Sequence, residues 1–301
     1  MASAARSLSP SVEVTNVPAK RAVRRERVVA ESIPLERARP FLKWAGGKSK
    51  LVESIFKRFP PSYGRYFEPF LGGGAVFFAL GPNKATVADV NAELITAYSS
   101  IRDDVEGVID ALSVHRAEEA HFYSVRSQSK DGMAMCGVAA RMIFLNRTCF
   151  NGLYRVNRAG AFNVPFGRYD NPRIVDEDNL RAVSRALKNV DVLHANVFAT
   201  VEKAKPGDLI YFDPPYDPVS KTASFVGYTN SGFGPTEQQK LALTFSALAN
   251  RGVHVVLSNS DTPFIRELYK DFRIDTLHVR RAINSRADRR GTVQEVLVSS
   301  T

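Results

Sequence analysis

The chain is short of the residues that build metal and disulfide sites. Its 301 residues include two cysteines, Cys136 and Cys149, and five histidines. The cysteines stand 13 apart with no Cys-x-x-Cys pattern. Neither a disulfide framework nor a zinc site is expected, and a reducing cytoplasm fits. Long apolar runs are missing as well: none reaches the roughly 18–20 residues of a membrane-spanning helix. The opening "MASAARSLSP" has no apolar core, so no secretory signal is read. A phosphate loop also fails. The Gly47-Lys48-Ser49 triplet needs a further glycine five residues upstream of Gly47, where Leu42 stands.

What the chain does have is positive charge. A net charge of +10 and a pI near 9.7 point to a polyanionic partner. Residues 1–38 lack periodicity and carry "KRAVRRER" at 20–27, read as a basic, largely disordered arm. From Phe41 onward, strands alternate with helices, which predicts an α/β fold with a mostly parallel, covered sheet. Candidate strands include "VDVLHAN" (190–196), "DLIYFDPPY" (208–216), "HVVLSNSD" (254–261) and "RIDTLHV" (273–279). A helix over 236–252 is predicted to open on a Thr236/Gln239 capping box and to close at Gly252. Residues 103–145 read as amphipathic helix, and 146–173 as irregular and rich in Arg, Asn, Gly and aromatics. The expected division is a catalytic domain (39–102 and 189–301) interrupted by a mainly helical lobe (103–188).

Three features gather at expected strand ends, where open parallel sheets bind ligands. "EPFLGGGAVF" supplies a turn through Gly72, Gly73 and Gly74 that allows close backbone approach. Asp89 ends the next strand, placed either to accept from ribose hydroxyls or to cap a helix. Asp213 opens "DPPY". Glycine turn and acid together imply a nucleoside-bearing cofactor, either a dinucleotide or S-adenosylmethionine. The spacing is not Gly-x-Gly-x-x-Gly, which leans against the dinucleotide.

In the order "KWAGGK", "EPFLGGGAVF", "ADVNAEL", "NRTCFNGLYRVNRAGAFNVPFGRY" and "DPPY", the chain resembles the Dam-like (D12 class) DNA N6-adenine methyltransferases, over roughly 41–300. The resemblance implies a Rossmann-like S-adenosylmethionine-dependent sheet with an inserted target-recognition domain. It implies that Trp44, Lys48, Phe70, Gly72, Gly74, Asp89 and Asp213 bind S-adenosyl-L-methionine, and that Asp213, Pro214, Pro215 and Tyr216 form the catalytic motif. Asn151, Leu153, Arg155, Pro165 and Tyr169 fall on positions the family links with reading or opening GATC. Departures are Gly73, where relatives often carry Ala, and Phe150 in place of a common Tyr.

The chemistry suits those residues. The adenine amine is a poor nucleophile because its lone pair is delocalised into the ring. Two fixed acceptors, the Asp213 carboxylate and the Pro214 carbonyl, can draw that pair out and stabilise the charge that develops on nitrogen. Tyr216 offers a face for the base. In a duplex the base must first be flipped out. Between 141 and 173, six arginines (141, 147, 155, 158, 168 and 173) face one acid, Asp170. Arg155 is expected to read guanine, Arg168 to bind DNA and Tyr169 to act as the wedge. The loop 219–234 is expected to cover the flipped base, and 281–291 to track phosphate.

The function expected is site-specific adenine-N6 methylation of double-stranded DNA, at GATC. Alternatives are the same chemistry on cytosine N4, RNA or protein glutamine, or an idle DNA-binding module. The remaining expectations are a monomer without metal or membrane, cytoplasmic in a bacterium or phage-encoded, with possible pairing to a restriction endonuclease.

Overall fold

The computed structural model describes residues 37–219, 233–280 and 292–300. Almost all of the expected basic arm, most of the 219–234 loop and the 281–291 stretch lie outside them. In chain order the helices are α1 (Val52–Phe56), α2 (Ala75–Leu80), α3 (Ala92–Asp103), α4 (Val105–Ser113) and α5 (Glu119–Ser127). They continue with α6 (Met135–Thr148), α7 (Glu177–Leu187), α8 (Val197–Val201), α9 (Pro235–Asn250) and α10 (Pro263–Leu268). The strands are β1 (Tyr66–Glu68), β2 (Ala85–Asp89), β3 (Val190–His194), β4 (Leu209–Phe212), β5 (His254–Ser260), β6 (Arg273–Arg280) and β7 (Thr292–Ser299).

The strands form a seven-stranded sheet in the order β3-β2-β1-β4-β5-β7-β6. The first five of that order run parallel, and β7 is antiparallel to both β5 and β6. All four residues of β4 are 0% exposed, as a parallel strand covered on both faces requires. Side chains alternate between the faces. Tyr66 and Tyr211 join the cluster that includes Ile55, Val76 and Ile101, whereas Phe67, Ile210 and Phe212 join the one that includes Val201, Phe245 and Ile265.

The chain runs outward through β1, β2 and β3, then returns to β4 beside β1. This reversal is the topological switch point, and it sets the carboxyl ends of β1 and β4 next to each other. The described residues form one compact unit. Phe144 and Leu145 of α6 are buried in the same cluster as Val87 and Tyr98, and residues of α4, α5 and α7 join them, so α4–α7 share the core of the sheet's first face.

The opening of α9 corrects the sequence reading. Its N-cap is Gly234, with Pro235 in the first turn, and the Glu237 carboxylate accepts from the Gly234 N–H at 2.8 Å. Thr236 and Gln239 therefore lie inside the helix. Proline at the first helical position, whose missing N–H is no loss there, sets the start two residues early. Gly252, at φ +80, closes the helix as expected.

Candidate functional site

Asp213 leaves the end of β4 and turns into the cleft at the switch point. Its Oδ1 pairs with Lys48 Nζ at 2.9 Å and accepts from Ser258 Oγ at 3.0 Å. The Tyr211 hydroxyl stands 2.8 Å from the same Oγ. Burial pushes the Asp213 carboxyl up from its ordinary range, while Lys48 and then Ser258 pull it back. Lys48, 6% exposed, also donates to the Gly46 carbonyl at 2.6 Å. Its ammonium lies 4.7 Å from the centre of the Tyr216 ring. The Tyr216 hydroxyl in turn donates to Glu295 Oε2 of β7 at 2.8 Å.

The two prolines are held from behind by a buried amide relay. Gln238 Nε2 donates to the Pro215 carbonyl at 2.8 Å, and Asn259 Nδ2 donates to Gln238 Oε1 at 3.1 Å. Asn259 Oδ1 accepts from the Asp217 N–H at 2.9 Å. Among the described residues no donor reaches the Pro214 carbonyl.

The glycine turn after β1 is joined to β2 by Asp89. One carboxylate oxygen accepts from the Gly72 N–H at 3.0 Å and the other from the Asn91 N–H at 2.9 Å. Burial raises its pKa, with these backbone donors opposing. The helix-capping alternative goes to Asn91, whose side chain accepts from the Leu94 N–H at 3.1 Å. Gly72 sits at φ +48, and a Cβ there would fall 2.7 Å from Trp44 Cδ1. Gly74, at φ +69, has the Tyr98 hydroxyl 2.8 Å from any Cβ. The chain's own rings therefore demand these glycines. Trp44 also stacks on Tyr154, with centroids 5.4 Å apart, and Phe70 sets its edge against Phe212 and Phe233.

Glu68, the acid of "EPF", is a site residue the sequence reading left without a role. It is 2% exposed and accepts from the Tyr66 hydroxyl at 2.6 Å. Burial pushes its carboxyl up to about 8 against the Tyr66 hydrogen bond, and the nearby Asp213 charge adds to the rise. Ser258, Gln238, Asn259 and Glu295 were missed too.

The arginine-rich segment divides in two. Arg141 is not a DNA contact: it is 4% exposed and pairs with Glu93 at 3.1 Å, while donating to the Val125 and Arg126 carbonyls. Arg155 is exposed, and its Nε donates to Asn163 Oδ1 at 2.7 Å across a small hairpin. Asn151 (φ +56) and Arg168 (φ +52) are exposed with left-handed backbones, and Leu153 and Pro165 are exposed beside them. Tyr169 is half-buried beneath Lys43 Nζ, 4.6 Å from its ring centre. Phe150, 50% exposed, is the more open ring. Lys43, Arg147, Tyr169 and Arg173 help line a recess of about 200 Å³; Arg126, Lys130, Asn157 and Asn163 help line one of about 810 Å³.

One short tract joins the two regions. Lys43 exchanges backbone hydrogen bonds with the Asn146 side chain, which also donates to the Gly152 carbonyl, and Lys48 reaches Asp213. Among the described residues no group of three or more metal-ligating side chains occurs, and no helix is long and apolar enough to cross a membrane.

Comparison with known proteins then decides the family. The sequence model of the D12 class N6 adenine-specific DNA methyltransferases matches residues 44–283. The chain belongs to that family. It is an adenine-specific DNA methyltransferase. The Type II methyltransferase M1.LlaDCHI of Lactococcus lactis subsp. cremoris is 42% identical over 270 residues, covering 87% of this chain and 95% of that protein. The Type II methyltransferase M.MjaIII of Methanocaldococcus jannaschii is 40% identical, over 84% and 95% of the two chains. The DNA adenine methylase of Haemophilus influenzae is 34% identical, over 88% and 94%.

Family membership implies S-adenosylmethionine, and the methyltransferase's donor set fits it. Asp89 and Asp213 are carboxylates raised by burial, which a hydroxyl-rich, cationic nucleoside relieves.

Proposed function

We propose that this methyltransferase transfers a methyl group to the N6 amine of an adenine flipped out of double-stranded DNA, within GATC. The observation that carries the reading is the seat of Lys48. A nitrogen donor is already held there, against the Asp213 carboxylate and over the Tyr216 ring. An adenine amine entering in place of that ammonium meets the same two partners and gains the Pro214 carbonyl as a second acceptor.

S-adenosylmethionine, when bound, supplies an electrophilic methyl group on a sulfonium. Trp44, Phe70 and the Gly72–Gly74 turn would hold it, with Asp89 on its ribose hydroxyls. Lys48, matched by resemblance to a cofactor-contacting motif, would leave the Asp213 carboxylate as the base arrives. Asp213 and the Pro214 carbonyl orient the amine lone pair and stabilise positive charge on nitrogen as the bond forms. Tyr216 keeps the base flat.

On the DNA side, Arg155 is offered to guanine, with Asn151, Leu153, Pro165 and Arg168 around it. Phe150 is better exposed than Tyr169 to fill the gap left by the flipped base. The recess at Lys43, Arg147 and Arg173 suits a backbone phosphate. The Type II names of two relatives support pairing with a restriction endonuclease.

The test is methylation of a GATC duplex with labelled cofactor, beside duplexes carrying AATC or GATT. Wild type is expected to label GATC alone. Asp213→Ala is expected to abolish labelling with the fold retained, at a lowered melting temperature because the buried Lys48 loses its partner. Labelling by that variant at the wild-type rate would refute the assignment.

A further inference from the structure

We propose that Glu295 is a positioning residue for methyl transfer, fixing the Tyr216 ring that receives the target base. The inference rests on the function proposed above. Backbone restraint of Tyr216 comes from its neighbours: Gln238 holds the Pro215 carbonyl, and Asn259 holds the Asp217 N–H. Those bonds leave the side-chain torsions of Tyr216 unset. The far end of the ring is tied through its hydroxyl, which donates to Glu295 Oε2 at 2.8 Å and also lies within reach of the Ser258 side chain.

Glu295 lies on β7, opposite Ser260 of β5 and Leu277 of β6. A strand between two partners holds its side chains in register, so this carboxylate is a rigid anchor. Among the described residues Glu295 makes no ion pair. Among the described residues its carboxylate accepts from the Tyr216 hydroxyl and from no other side chain.

The bond has an electronic consequence as well. A phenol donating to a carboxylate becomes richer in electron density, which strengthens the attraction of its face for a cation. Lys48 exploits that face at 4.7 Å in the resting enzyme. The amine nitrogen becomes positive during transfer, so a ring held and enriched by Glu295 favours the transition state over the bound base.

Single-turnover methylation of a GATC duplex, with cofactor and duplex affinities measured beside it, tests the proposal in Glu295→Ala, Glu295→Gln, Tyr216→Phe and the Glu295→Ala/Tyr216→Phe double variant. Glu295→Ala is expected to slow transfer about tenfold, with both affinities within about twofold of wild type. Glu295→Gln, whose amide oxygen still accepts, should recover most of the rate. In the Tyr216→Phe background, removing Glu295 should change the rate less than about twofold.

Equal slowing in the Tyr and Phe backgrounds would overturn the proposal, since it would place the effect in strand packing. So would an unchanged rate in Glu295→Ala. Should Glu295→Ala fail to fold, Tyr216→Phe alone must slow transfer; a wild-type rate there overturns the idea. A wild-type enzyme inert on adenine defeats the functional reading instead, which sets the two failures apart.

Discussion

Lys48 Nζ stands 2.9 Å from Asp213 Oδ1 and 4.7 Å from the centre of the Tyr216 ring. Removing the ammonium leaves a carboxylate that is only 19% exposed without its cation. Lys48→Met is expected to lower stability by about 3 kcal/mol near neutral pH, the low end of the range for breaking a buried pair because Asp213 keeps some exposure. The orphaned Asp213 binds its proton more tightly in the folded state. The deficit should therefore shrink as pH falls, and it should largely vanish in Lys48→Met/Asp213→Asn. Urea unfolding across pH 5–8 checks this; a deficit independent of pH contradicts it.

Glu68 supplies a second pH signature. Its carboxyl moves from an ordinary 4.5 up to about 8 on burial. Between those values the folded protein holds a proton that the unfolded chain has released. Stability thus falls as pH rises through this window, by at most about 1.4 kcal/mol per pH unit. Glu68→Gln imitates the protonated form and should lose that slope, becoming the more stable protein at pH 8. Parallel stability profiles for the two proteins would show that Glu68 does not titrate there.

Trp44 is the single tryptophan of the chain, so its fluorescence reports this cleft alone. A methyl at Gly72 meets its indole at 2.7 Å and forces a left-handed backbone on alanine. Gly72→Ala should destabilise by about 1–3 kcal/mol and shift the tryptophan emission. An unshifted spectrum would mean that the ring is not packed against the turn.

Two arginines from one dense block should behave oppositely. Arg141→Ala leaves the buried Glu93 with Lys130 and Tyr154 but takes a donor from the Val125 and Arg126 carbonyls, and should cost about 1–3 kcal/mol of stability. Arg155→Ala touches an exposed side chain and should move stability by no more than about 0.5 kcal/mol. That variant should instead lose about 1–3 kcal/mol of discrimination at one guanine. Thermal melts and competition binding with substituted duplexes distinguish the pair.

The uneven legibility of the sequence has physical causes. β4 and β2 could be read because each is a short apolar run stopped by an acid, and the strand-end motifs lie beside them. The two faces of β7 were not read: Val296, Leu297 and Val298 are consecutive and buried, whereas Gln294 is exposed, so no single period marks the strand. Its antiparallel partners are set by sheet order. Gln238, Ser258, Asn259 and Glu295 reach the Asp213–Tyr216 turn from α9, β5 and β7, and no local pattern announces such convergence. Arg141 could not be told from the exposed arginines of its block, because charge density in a sequence does not separate a helix's inner face from its outer one.

The place of β7 also bears on how the enzyme comes into being on the ribosome. Thr292–Ser299 is the last of the seven strands to be translated, yet it fills the gap between β5 and β6 and brings Glu295 to Tyr216. A nascent chain that has finished its acidic turn still lacks the strand that steadies the aromatic. A sheet assembled without β7 would therefore carry the Asp213–Tyr216 turn with its ring untied at the hydroxyl end.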